Sequence, residues 1–180
     1  MLSMKKLSYA IAVSLSLSGA AFAGQDGAFA ALQAAAPALD ISVPAALPQA
    51  DPDRALASDV LDLTPSYADF LGDYAKGLGY AVFELDGSKM TTKQTLLVYS
   101  TRVLRFPGVP ENWDAMVDYI GELPRVHHNN HILIVVRNSN KVRLANAGLY
   151  ADLREVAEFA CRNAREWSKG DITIKFAFVQ

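Results

Sequence analysis

Four carboxylates recur at spacings of three, four and four residues: Glu111, Asp114, Asp118 and Glu122. On a helix this spacing lines them along one stripe. Trp113, Met116, Val117 and Ile120 take the i, i+3, i+4 and i+7 positions of the same segment, which predicts a buried face on its other side. Asn112 stands where the N-cap of a helix over 113–121 is expected. Like charges at this spacing destabilise an isolated helix by about a few tenths of a kcal/mol each. Glu111 and Asp114 gain some relief at the positive end of the helix dipole, and Glu122 lies past the helix end. Asp118 has no such relief, because positions 114, 115, 121 and 122 hold no cation. The row is either an ordinary solvated face or a surface shaped to meet a basic partner. Acid–base catalysis by these carboxylates would need a cleft, whereas a helix stripe predicts an open face, so an enzyme ranks last.

Other reactive side chains carry weaker signals. The single cysteine, Cys161, rules out an intramolecular disulfide and any CxxC metal or redox site. It falls on the apolar side of a helical pattern, where small cysteines are inert core. His127, His128 and His131 form an H-H-x-x-H cluster, but no carboxylate or cysteine within four residues completes a zinc site. That edge reads as a solvated, weakly basic loop that gains charge below neutral pH. The chain shows no phosphate-cradling glycine loop, no Gly-x-Ser-x-Gly elbow and no HExxH. No cofactor and no metal are expected.

The elements that would position the carboxylate row lie between about Leu78 and Gln180. Tyr80–Leu85 reads as a short apolar strand closed by the Asp86-Gly87 turn. Residues 91–104 place Leu96, Leu97, Tyr99, Val103 and Leu104 on a helical stripe, and Pro107, Gly108 and Pro110 form a rigid loop before Asn112. Ile132–Val136 is apolar throughout, as in a strand covered on both faces. Leu149–Trp167 is the longest helix, with Leu149, Leu153, Val156, Ala160, Ala164 and Trp167 on its apolar stripe. Lys169-Gly170 ends it. Ile172, Ile174, Phe176 and Phe178 then alternate with Thr173, Lys175 and Ala177 as a closing strand. Helical crossovers between successive strands predict an α/β fold: a small three-stranded parallel sheet packed by helices in β-α-α-β-α-β order.

The remaining sequence sets the context. At 180 residues, 51% hydrophobic and 20% charged, the chain suits one domain plus tails. Seventeen basic against nineteen acidic side chains give a formal charge of −2, so direct nucleic-acid binding is not expected. Lys5 and Lys6 precede a run without charge from Leu7 to Gln25 that ends in Ala21-Phe22-Ala23. Basic n-region, short apolar core and A-x-A end predict a secretory signal peptide over 1–23, cleaved after Ala23. The run carries four serines and a glycine and is short for a span of about 20 apolar residues. Cleavage would leave a charge of −4, no membrane anchor, and a periplasmic or secreted protein. Residues 24–60, with 12 Ala and four Pro, read as a linker; residues 61–77 read as a helical lead-in, with Tyr67, Phe70, Leu71 and Tyr74 at helical spacing.

With these residues in place the sequence resembles the barstar family, the small inhibitors of barnase-type ribonucleases. The stretch Pro107–Pro124, PGVPENWDAMVDYIGELP, is similar to the family's inhibitory helix with its E-N-[apolar]-D-A-[apolar]-x-D run. Lys169-Gly170-Asp171-Ile172-Thr173-Ile174 resembles the family's last turn and strand. The resemblance covers about 78–180 and implies that Asp114 and Asp118, with Asn112, enter a nuclease active site in the place of an RNA phosphate. Other contact positions depart. Gly108 or Val109 stands where the family has a tyrosine, Leu123 where it has a tryptophan, and Asn163 where it has a glutamate. These departures point to a partner other than barnase. The expected function is a barstar-like inhibitor or immunity protein, a monomer when free, that blocks a basic extracytoplasmic ribonuclease through Glu111, Asn112, Asp114, Asp118 and Glu122. The alternative is an exported binding module that keeps the fold without nuclease inhibition.

Overall fold

The computed structural model describes residues 51–180. The expected signal peptide, residues 1–23, and residues 24–50 of the expected linker lie outside them. The described chain runs α1 (Pro52–Leu56), β1 (Val60–Leu63), α2 (Pro65–Gly77), β2 (Ala81–Asp86), α3 (Lys93–Leu104), α4 (Trp113–Gly121), α5 (Leu123–His127), β3 (His131–Arg137), α6 (Ser139–Ala145), α7 (Ala147–Trp167) and β4 (Thr173–Val179). The strands form one parallel sheet in the order β1-β4-β3-β2. Ile132, Ile134, Val136, Ile174, Phe176 and Phe178 fill one face, packed by Leu96 and Leu104 of α3, Met116 and Ile120 of α4, and Leu153 and Ala160 of α7. Leu133, Val135, Ala177 and Val179 fill the other, under Leu56, Leu61, Ala68, Leu71 and Ala75 from the first three elements. The sheet is therefore the middle of three layers, and α4 packs on the first face with α7 beside it. No helix among the described residues is long and apolar enough to cross a membrane.

The α/β class and the parallel sheet stand, but the sheet has four strands rather than three. The extra one, β1, falls at the junction of the expected linker and lead-in, and it pairs with β4 so that Val60 faces Phe176. With α1 and α2 it completes the second layer over the other sheet face. β4, the expected closing strand, is covered on both faces: every residue from Ile174 to Val179 is buried. On α2, Leu71 is in the core and Tyr67 and Tyr74 are partly buried against it, so of the expected stripe only Phe70 turns outward. Ala68, Leu71, Gly72 and Ala75 are buried, while Phe70 is exposed.

Lys175 shows what the fourth strand demands. Its side chain is only 7% exposed. Its ammonium donates to the Ser58 carbonyl at 3.0 Å and lies 3.8 Å from the Asp59 carboxylate. Burial pulls its pKa below the usual lysine value, and Asp59 opposes that pull. Asp59 also takes both its oxygens to Arg165 of α7 at 2.7 Å. Truncating one partner strands a buried charge, whereas replacing the charge by an apolar isostere does not. Asp59→Ala is therefore expected to cost about 1–3 kcal/mol, moderated by the partial exposure of Asp59. Lys175→Met should be neutral or stabilising. Urea denaturation of both variants checks the pair, and a Lys175→Met chain less stable than Asp59→Ala would reverse the assignment.

Candidate functional site

Helix α4 begins and ends where the residue pattern places it. The Asn112 side chain accepts from the Ala115 N–H at 2.8 Å, so the amide oxygen that a partner would see is already engaged in capping. Met116, Val117 and Ile120 are buried, and the apolar stripe anchors the helix on the sheet. The opposite stripe faces outward: Glu111, Asp114, Asp118 and Glu122 are all exposed. Asp114 and Asp118 lie one turn apart on it, and among the described residues neither, nor Glu111, makes a side-chain hydrogen bond or ion pair. Glu122 differs. It caps α4, and its carboxylate holds Arg125 of α5 at 2.5 Å. The free negative charge is thus concentrated on Glu111, Asp114 and Asp118.

Trp113 does not sit in the core. Its ring is half-buried at the start of α4, where the indole N–H donates to Asp152 of α7 at 3.2 Å and Lys93 Nζ lies 4.6 Å from the ring centroid. The i, i+3, i+4, i+7 stripe puts Trp113 at its N-terminal edge, over the gap between α4 and α7 rather than over the sheet. Trp167, expected on the apolar stripe of α7, is 74% exposed. A groove of about 530 Å3 follows the α4–α7 seam and is lined by Trp113, Asp114, Val117, Asp152, Glu155, Glu158 and Phe159, among others. A smaller one of about 180 Å3 continues beside Val117, Gly121, Asn163 and Trp167. The acidic residues of α7 were the part of this surface that the helix stripe did not announce. Their signal, a spacing of three over 152, 155 and 158, was overshadowed by the apolar stripe beside it.

The departures from the resembled pattern have structural counterparts. Leu123 is fully buried, so the position that would carry a contact tryptophan is core here. Val109 is exposed without an aromatic ring, and Asn163 lines the smaller groove. Exposed aromatic surface lies instead on α7, at Phe159 and Trp167.

The remaining reactive side chains are put to structural use. His127 Nε2 lies 2.9 Å from the Leu104 carbonyl, which can only accept, so this nitrogen carries the proton; its ring packs on Phe83. His131 packs on Tyr80, and His128 ends α5 in a left-handed conformation, φ 51°. No group of three metal-ligating side chains converges among the described residues. Cys161 is buried under β1 and burial pushes its thiol from an ordinary 9.0 up to about 12. A thiol held neutral in this way is no nucleophile at pH 7. Its raised pKa also has a stability consequence. The folded thiol keeps its proton while the unfolded one ionises, so its contribution is full below about pH 9 and is lost as pH rises toward 12. Three pKa units correspond to about 4 kcal/mol at most. Stability measured at pH 8 and pH 10.5 should therefore fall more steeply for the natural chain than for Cys161→Ala; equal slopes would contradict the burial effect.

The comparisons agree with this architecture. No individual curated protein matches the chain. The family description "Barstar (barnase inhibitor)" matches residues 80–178, more than half of the chain, from the start of β2 to the penultimate residue of β4. The parallel sheet with its packed helices and this match agree: the chain belongs to the barstar family of barnase inhibitors.

Proposed function

We propose that this protein inhibits a basic ribonuclease by presenting the outer face of α4 to the nuclease active site. One observation carries the reading: Asp114 and Asp118 project from α4 one turn apart, exposed and without ionic partners among the described residues. An unpaired acidic row gains little for folding, and its repulsion is relieved only when cations arrive from outside. A ribonuclease that binds phosphate supplies such cations. Glu111 extends the row at its start, Asn112 fixes the helix in place, and Glu122 enters only if it exchanges Arg125 for a partner's cation. Complementary charge accelerates encounter, and desolvated charge-assisted hydrogen bonds slow dissociation.

Lys5, Lys6, the uncharged run after them and Ala21-Phe22-Ala23 support an exported protein cleaved after Ala23; the proposed partner is then an extracytoplasmic nuclease and the inhibitor serves as an immunity protein. Intact mass of protein from its native host should give an N-terminus at Gly24; a chain retaining residues 1–23 in the cytoplasm would place the inhibitor elsewhere. For inhibition itself, RNA hydrolysis by barnase-type ribonucleases is titrated with the protein. The reading requires stoichiometric loss of activity for at least one basic, exported nuclease and fails if binding occurs with hydrolysis unchanged.

A further inference from the structure

The α4–α7 groove extends the acidic surface beyond the helix row. Asp114 forms one wall; Asp152, Glu155 and Glu158 follow along α7. Asp152 accepts from Trp113, but Glu155 and Glu158 are exposed and make no side-chain hydrogen bond or ion pair among the described residues. Between the carboxylates lie apolar surfaces of Trp113, Val117, Val156 and Phe159. Against these four carboxylates the groove lining holds one cation, Arg162, and each of its two aromatic rings lies beside a cation. Lys93 Nζ sits 4.6 Å from the Trp113 centroid, and the Arg162 guanidinium carbon lies 5.3 Å from the Phe159 centroid.

We infer that this groove receives an Arg- and Lys-bearing segment of the inhibited nuclease, as a second docking region beside the α4 aspartates. The chemistry is that of amphipathic cations: aliphatic stems lie on Val117, Val156 and the rings, while the charged heads reach Asp114, Glu155 and Glu158. Charge complementarity selects the occupant. Residues 24–50 of this chain contain Asp26 and Asp40 but no Lys or Arg, so they offer the groove no cation. A neutral apolar helix would leave Asp114, Glu155 and Glu158 facing it unpaired. The identity of the partner rests on the inhibitor reading; the cation-binding chemistry of the groove does not.

The test uses octa-arginine as the probe and Trp113 as the reporter, in the chain carrying Trp167→Phe so that a single tryptophan remains. Binding should change Trp113 emission. Glu155→Lys and Glu158→Lys should each raise the dissociation constant at least about tenfold, and the neutral Glu155→Gln should raise it less. Asp73→Lys, the same charge change on α2 across the sheet, should raise it less than about threefold if the effect is local rather than a matter of net charge. Equal weakening by all three Lys variants, or silent Trp113 emission, overturns the inference. Nuclease inhibition by the same proteins separates the two claims. If Asp118→Ala loses inhibition while both α7 variants inhibit like the natural chain, the groove proposal falls and the inhibitor reading stands. If octa-arginine behaves as expected but no basic ribonuclease is inhibited, the groove stands and the inhibitor reading falls.

Discussion

Asp118→Ala is expected to weaken binding of the proposed nuclease partner by roughly 2–5 kcal/mol, about thirty-fold to several thousand-fold, while leaving the fold intact. The two halves of this expectation come from the same observation. Asp118 sits in mid-helix, exposed, with no ionic partner among the described residues, so removing its carboxylate breaks no hydrogen bond or ion pair there. Alanine also has the higher helix propensity and relieves repulsion from Asp114, so the denaturation midpoint should stay or rise slightly. In the complex the same carboxylate would be desolvated against Arg or Lys, and its removal would leave those cations buried and unpaired. Most of the loss should appear in the dissociation rate. Salt acts on the other rate: association should slow as ionic strength screens the acidic face. Asp114→Ala should follow the same pattern. Glu122→Ala should weaken binding less, because its carboxylate is already shared with Arg125. A partner that binds the natural chain and both aspartate variants equally well would mean that the fold is used through another surface.

What could be read in the sequence was what local chemistry decides. Asn112 caps the first turn of α4 through a hydrogen bond spanning three residues, and the bounds of that helix follow from neighbours alone. The apolar run of β3 needed no knowledge of its partners to announce burial on both faces. The harder features depend on residues distant in the chain. β1 is four residues long, lies between two proline-led helices, and becomes a strand by pairing with β4 at the far end of the sequence. Without β1, Lys175 reads as an outward residue; with it, Lys175 is covered and needs Ser58 and Asp59. The two tryptophans show the same limit. Periodicity places Trp113 and Trp167 on apolar stripes, but whether the end of a stripe is covered depends on where the neighbouring helix stops. The candidate site divides likewise: the α4 row is one helix's pattern, whereas its continuation onto α7 exists only because two helices from separate parts of the chain lie side by side.

A chain cut to residues 78–180, which keeps the entire family-matched span, is expected not to fold cooperatively, whereas residues 51–180 should. The cut removes α1, β1 and α2, and with them the cover of the second sheet face. Leu56, Leu61 and Leu71 are lost from that layer, and Leu71 is fully buried. At about 1.5–3 kcal/mol for each buried leucine, these three alone contribute on the order of the whole net stability of a small domain. The loss has other parts. Leu133, Val135, Ala177 and Val179 become exposed on the open face. The edge of β4 loses its parallel partner and presents unpaired backbone groups, a template for association with other chains. Lys175 loses both Ser58 and Asp59. Thermal melting followed by circular dichroism should show a single transition for 51–180, and for 78–180 a broad or absent one with aggregation. Leu71→Ala in the full chain supplies a graded version, at about 2–5 kcal/mol of destabilisation. If 78–180 melted cooperatively within a few degrees of 51–180, the N-terminal elements would be an accessory. If it does not, this protein's domain begins before its family resemblance does, and the aspartate face of α4 depends on a strand that lies outside the matched span.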